Sequence, residues 1–242
     1  MKKVTYLMIV CLITAILIPG CLETKEAIPA TVNQATLEEL GWVRSGEIQK
    51  DSMVQDVGGV EIVINTAMVT YHDENLMEDI GRQFDGLLGA YEGSGEQSGE
   101  DQFTSQFFTL RLALPAGISI PESVLMGIID GQIQNMAQKS AIQDFHDVGE
   151  ETVTLSSGSN VTARSYAGYI ETEDGDIVSV KIRGVLASWS GDGTTTIVLG
   201  IIPAEDLVLG VPTDMISSDT FTIHIDVEQE YQDILTLIQN VE

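Results

Sequence analysis

His72, His146 and His224, with a scatter of carboxylates, are the residues best equipped for acid–base or metal chemistry. Their spacing limits what they can do. A zinc hydrolase shows H-E-x-x-H or a comparable cluster, whereas these histidines lie more than seventy residues apart. They would have to converge in the fold, and His146, Asp144 and His224 are the distant residues from which a hydrolase or cation-dependent site could be assembled. Metal sites are recognised by ligand count and geometry, so scattered histidines are expected on the surface or in satisfied core positions. No stretch matches G-x-S-x-G at a strand-to-helix turn. The turn Glu171-Thr172-Glu173-Asp174-Gly175-Asp176 gathers oxygen ligands suited to calcium but lacks D-x-D-x-D-G and its closing glutamate, so a solvated hairpin tip is expected. Asp130 reads as a helix-edge acid. Gly93-Ser94-Gly95 and Gly191-Asp192-Gly193 follow neither phosphate-binding glycine pattern. Trp42, Trp189, Tyr166 and Tyr169 could line a pocket, but Tyr166 and Tyr169 point to opposite faces of a regular strand, and core packing is the expectation. No catalytic residue, metal ligand or cofactor is assigned.

The two cysteines, Cys11 and Cys21, belong to the N-terminal stretch. Lys2 and Lys3 precede an apolar run from Val4 to Ile18 that ends at Pro19-Gly20-Cys21. This is the layout of a secretory signal, and the run is shorter than the roughly 20 residues a membrane-spanning helix needs. Ile18-Pro19-Gly20-Cys21 resembles a lipobox. Residues 1–20 are therefore read as a signal peptide, Cys21 as the lipid attachment point, and residues 21–35 as a polar tether. Retention of the apolar run as an anchor is the alternative. No cysteine remains for a disulfide, a thiolate site or a nucleophile. Asn160-Val161-Thr162 is a glycosylation sequon that fits an exported chain.

The leader holds two of the 11 basic residues and none of the 37 acidic ones, leaving a balance of −28. That charge repels phosphate backbones, which excludes nucleic acid as a partner, and it disfavours adhesion to anionic lipid. Contact with the membrane must come through the lipid on Cys21 or through a retained apolar helix, with a protein partner at the cell surface as a further expectation.

From residue 36 the chain reads as one α+β domain, 36–242, in which an antiparallel sheet is covered by two or three amphipathic helices. Thr36 is expected to cap a helical turn to Leu40. Trp42–Gln55 and Val60–Tyr71 read as a hairpin, and His72–Tyr91 as a helix with Leu76, Ile80 and Phe84 on one face. Residues 92–102 contain no apolar residue and read as a mobile loop. Phe103–Leu114 reads as a strand burying Phe108, Leu110, Leu112 and Leu114. Pro121 is expected to open a helix running to Ala137. Strands follow at 142–155, 160–172, 177–188 and 195–203, then an ambiguous stretch, a short edge strand at 220–225, and a closing amphipathic helix with Val227, Tyr231, Ile234, Leu235 and Ile238.

The leader ending at Cys21, Leu40-Gly41-Trp42, Val69-Thr70-Tyr71, Thr152-Val153-Thr154-Leu155 and the Val198–Pro203 strand together resemble a group of archaeal lipoproteins that carry a domain of unknown function. The later half is similar to the PsbP-like α/β/α sandwich. These resemblances imply a non-enzymatic, lipid-anchored binding or assembly module on the extracytoplasmic face of the membrane. The alternative is an extracytoplasmic hydrolase or cation-dependent enzyme.

Overall fold

The computed structural model describes residues 25–57, 60–88, 104–115, 127, 142–170, 180–210 and 220–242. After α1 (Gln34–Leu40) the chain lays down a hairpin of β1 (Trp42–Val57) and β2 (Val60–Asp73), passes through α2 (Glu74–Leu88), and adds β3 (Gln106–Ala113) beside β2. It resumes at the far edge with β4 (Ile142–Thr154). Successive antiparallel strands β5 (Asn160–Ile170), β6 (Val180–Gly191) and β7 (Thr194–Pro203) then step inward until β7 pairs with β3. The result is a seven-stranded antiparallel sheet in the order β1-β2-β3-β7-β6-β5-β4. A separate hairpin of β8 (Leu207–Gly210) and β9 (Thr220–Ile223) precedes α3 (Val227–Gln239). The architecture is α+β, as expected.

Side-chain alternation gives the sheet two apolar faces. On one, Trp42, Tyr71, Phe107, Val185 and Val198 meet α1 and the inward stripe of α3, Ile234, Leu237 and Ile238. Gly200 lets α3 approach closely, because a Cβ there would lie 2.7 Å from two carbons of Ile234. On the other face Ile64, Leu112, Leu186 and Leu199 form a second cluster. A third joins Leu76 and Ile80 of α2 to Ile182 of β6 and to Leu207 and Ile223 of the small hairpin.

Several expectations are corrected. Asn33, not Thr36, caps α1, its Oδ1 accepting from Ala35 N at 3.0 Å, a role that asparagine fills as well as threonine. Phe107 and Thr109 are as buried as Leu112, while Phe108 and Leu110 are only half-buried. β3 is a central strand with material over both faces, so alternation does not separate an inside from an outside. The strand at 220–223 pairs with β8 and is not an edge of the main sheet.

Much of the expected tether is also part of the domain. Asn65 Nδ2 donates to the Lys25 carbonyl at 2.9 Å, Ala27 is buried with Ala67 and Ala113, Thr109 Oγ1 donates to the Ala30 carbonyl at 2.6 Å, and Val32 N donates to the Tyr71 hydroxyl at 3.1 Å. Small side chains at Ala27 and Ala30 let this polar-looking segment lie flat on the sheet. The signal peptide 1–20, Cys21, the 92–102 loop, Asp130 with nearly all of the 121–137 helix, and the 171–176 turn lie outside the described residues.

Candidate functional site

Two features on the α1/α3 face carry chemistry. The first is a cleft of about 920 Å³ beside α1. Local sequence builds its walls. Gly41 ends α1 with φ of 76°, the left-handed conformation that glycine adopts without penalty, and turns the chain sharply into Trp42. The segment before α1 is bound to the end of the chain: Thr31 N donates to the Glu242 carbonyl at 3.2 Å, Glu242 N to the Thr31 carbonyl at 2.8 Å, and Asn33 N to the Asn240 carbonyl at 3.0 Å. Buried Val32, Leu37, Trp42 and Tyr71 form the apolar part of the lining, and Glu38, Arg44, Glu74 and Glu242 are its exposed charged members. Glu38 accepts from Gln34 Nε2 at 2.9 Å and Glu242 from Asn33 Nδ2 at 3.1 Å. Trp42 Nε1 is buried without a hydrogen-bond partner among the described residues. Burial pushes the Tyr71 hydroxyl above its ordinary pKa, against the lowering effect of the Val32 N–H and of Arg44. The accessible lining is about as polar as apolar, with those buried side chains behind it, and the volume lies in the range of small-molecule sites.

The second feature is a buried carboxyl cluster where α3 crosses the end of β2. Asp73, Glu230 and Asp233 are 2%, 7% and 7% exposed. Asp73 accepts from Leu76 N at 2.9 Å and so caps α2. Its carboxyl shares a hydrogen bond with Glu230, which also accepts from the wholly buried Ser105 hydroxyl. Among the described residues no cation pairs with these carboxyls. Arg183, beside the next residue of α3, stacks 3.4 Å over the Tyr231 ring and donates to Ser165. Carboxyls removed from water without a counter-charge hold their protons. Burial, opposed by the Ser105 bond and reinforced by the Asp73 and Asp233 charges, lifts Glu230 to about 8. Burial, opposed by the Leu76 N–H, lifts Asp73 to about 6, and burial also raises Asp233. A hydroxyl on a carboxyl on a second carboxyl is the order a serine nucleophile uses, but Ser105 is 0% exposed and lines neither described cleft.

A family model described as a domain of unknown function, DUF6517, matches residues 29–242. The chain belongs to this family. No curated protein and no solved structure matches it. The matched span begins within the segment that the structure packs on β2.

In this DUF6517 domain the histidines are not brought together. His146 Nδ1 lies 2.7 Å from the Asp144 carbonyl on edge strand β4, and His224 Nδ1 lies 2.8 Å from Asp206 Oδ2 beyond β9. Asp206 is held below its usual range first by the Ile225 N–H and then by His224. Among the described residues no three His, Cys, Asp or Glu side chains are grouped to hold a metal. Asn160 is exposed at the β4–β5 turn, where its Oδ1 accepts from Thr154. It lines a smaller cleft of about 310 Å³ with Arg164 and Trp189. Tyr166 stacks on Phe145 at 4.9 Å, and Tyr169 donates to Gln143. Sequence reasoning missed both the cleft and the carboxyl cluster. One signal was available: Glu230 lies four residues before Ile234 and three after Val227, within the apolar stripe of α3.

Proposed function

We propose that this DUF6517 protein is a non-enzymatic binding or assembly module, held at the extracytoplasmic face of a cell membrane by a lipid on Cys21. The observation that carries the binding role is the cleft beside α1, with its mixed polar and apolar lining and its exposed charged members. The leader and its lipobox-like end support the location, and the likeness to archaeal lipoproteins and to PsbP-like accessory factors points the same way. Among the described residues no helix is long and apolar enough to cross a membrane.

Intact mass and detergent-phase partition of the wild type and Cys21→Ser test the anchor. The wild type should begin at Cys21 with lipid-sized added mass, and the variant should lose it. Native mass spectrometry of protein released from its own membranes tests the cleft, where a bound small molecule should be lost in Arg44→Ala. A second reading, a hydrolase or cation-dependent enzyme, draws on the His146–Asp144 and His224–Asp206 pairs. Turnover abolished by His146→Ala or His224→Ala would establish that reading instead.

A further inference from the structure

The segment before α1 has a direction. Its contacts advance along the sheet in step with the chain: Lys25 at Asn65, Ala27 at Ala67, Ala30 at Thr109 (the register partner of Val69), and Val32 at Tyr71. Followed backwards from Val32 to Lys25, the chain heads towards the β1–β2 hairpin end and away from the cleft. Cys21 stands only four positions before Lys25, a reach of about 14 Å at full extension. That is too short to lift the domain clear of the headgroups.

The same end of the sheet carries an apolar pair open to solvent. Val54 and Val63 are register partners, 63% and 41% exposed, and so project side by side from one face. That face is the one holding Lys25, because Val63 lies two residues before Asn65, a rise of about 7 Å. Their neighbours Ile62 and Ile64 turn inward to the opposite cluster, as strand alternation requires. Nearby charge offers anionic lipid no attraction: Lys50 is paired with Glu26 at 2.6 Å, while Glu61 stands exposed one alternation beyond Val63 with Asp56 as its register partner. Contact with a bilayer here would be apolar and not electrostatic.

We infer that the face of the β1–β2 hairpin around Val54 and Val63 is the surface of this domain that rests on the lipid bilayer, with the α1 cleft held at the opposite end of β2. This rests on the anchor at Cys21. The lipid supplies the affinity and the valine pair fixes the orientation. From Val63 to Asp73, at the cleft end of β2, the strand rises about 33 Å. The cleft is thereby presented outward to ligands or partners.

The test uses the full chain, processed in an archaeal host and reconstituted in phosphatidylcholine vesicles with brominated acyl chains. Cys21 is consumed by the lipid, so a single introduced cysteine takes an environment-sensitive dye at Val63→Cys, or at Glu39→Cys on exposed α1 as the distal position. Vesicle-bound protein should show blue-shifted emission, quenched by the brominated chains, at position 63 and aqueous, unquenched emission at 39. Protein that floats with the vesicles but shows an aqueous dye at 63, or equal quenching at both positions, overturns the orientation while leaving the anchor intact. Wild-type protein that does not float overturns both. Val54→Asp/Val63→Asp, which alters only exposed positions, should still float, and a dye at Ser52→Cys, exposed two residues before Val54 on the same face, should lose its bromine quenching relative to the parent. Unchanged quenching there would equally overturn the proposal.

Discussion

Replacing Glu230 with glutamine tests whether the buried cluster holds a proton. Glu230 titrates near 4.5 when unfolded and near 8 in the fold. Between those values the folded chain keeps a proton that the unfolded chain has released, so unfolding free energy falls as pH rises through the window and levels off above it. At ~1.4 kcal/mol per pH unit the full interval is on the order of 5 kcal/mol, and proton sharing with Asp73 spreads part of it between the two groups. The glutamine amide keeps an acceptor for Ser105 and a donor for Asp73 but cannot ionise. Urea unfolding followed by tryptophan fluorescence, from pH 5 to pH 9, should therefore show variant and wild type within about 1 kcal/mol of each other at pH 5. At pH 9 the variant should be the more stable by several kcal/mol. A smaller slope from Asp73 should survive in both between about pH 4 and 6. A wild type whose stability is flat or rising from pH 5 to 9 refutes the reasoning, as does a Glu230→Gln protein that keeps the full slope.

Gly41→Ala should cost on the order of 2 kcal/mol, since φ is 76° and the new Cβ would lie 1.9 Å from Asn75 Nδ2. Adding Asn75→Ala should recover the clash but not the backbone strain, which a double-mutant cycle in urea resolves. Gly200→Ala should cost about 1–3 kcal/mol by pushing Ile234 off the sheet, read as a fall in thermal midpoint. Tyr71→Phe removes the 3.1 Å bond from Val32 N and should cost about 1 kcal/mol. It should also speed proteolysis between Lys25 and Thr31 relative to the wild type.

Strand and helix positions were largely legible because period and turn chemistry are local. The alternating strands after residue 142 and the closing helix stand within a few residues of where the sequence puts them. What was not legible depends on partners far along the chain. Nothing near Phe107 announces that β7 will lie beside it or that α3 will cover the face it presents. Nothing near Ala27 announces that β2 offers a flat landing for a proline-containing, polar stretch. The carboxyl cluster assembles Asp73, Ser105 and two α3 residues across the fold, and only the α3 pair left a mark in the sequence pattern. The histidines show the converse: residue types suited to catalysis held in unrelated places, His146 by the Asp144 carbonyl and His224 by the Asp206 carboxylate.

The pairing of β3 with β7, Gln106 opposite Ile201, is the single seam between the two strand groups, and Asn33 meets Glu242 across a separation of 209 residues. A chain delivered N-terminus first can zip β1 to β2 and add β3 at once, but it leaves one side of β3 unpaired until β7 emerges. The contacts that seat the segment 31–33 form last of all, when the end of the chain arrives. Such a sequence of events leaves β3 with an open strand edge until β7 has been made. The cleft beside α1 is complete only once residues 240–242 have joined the segment before α1.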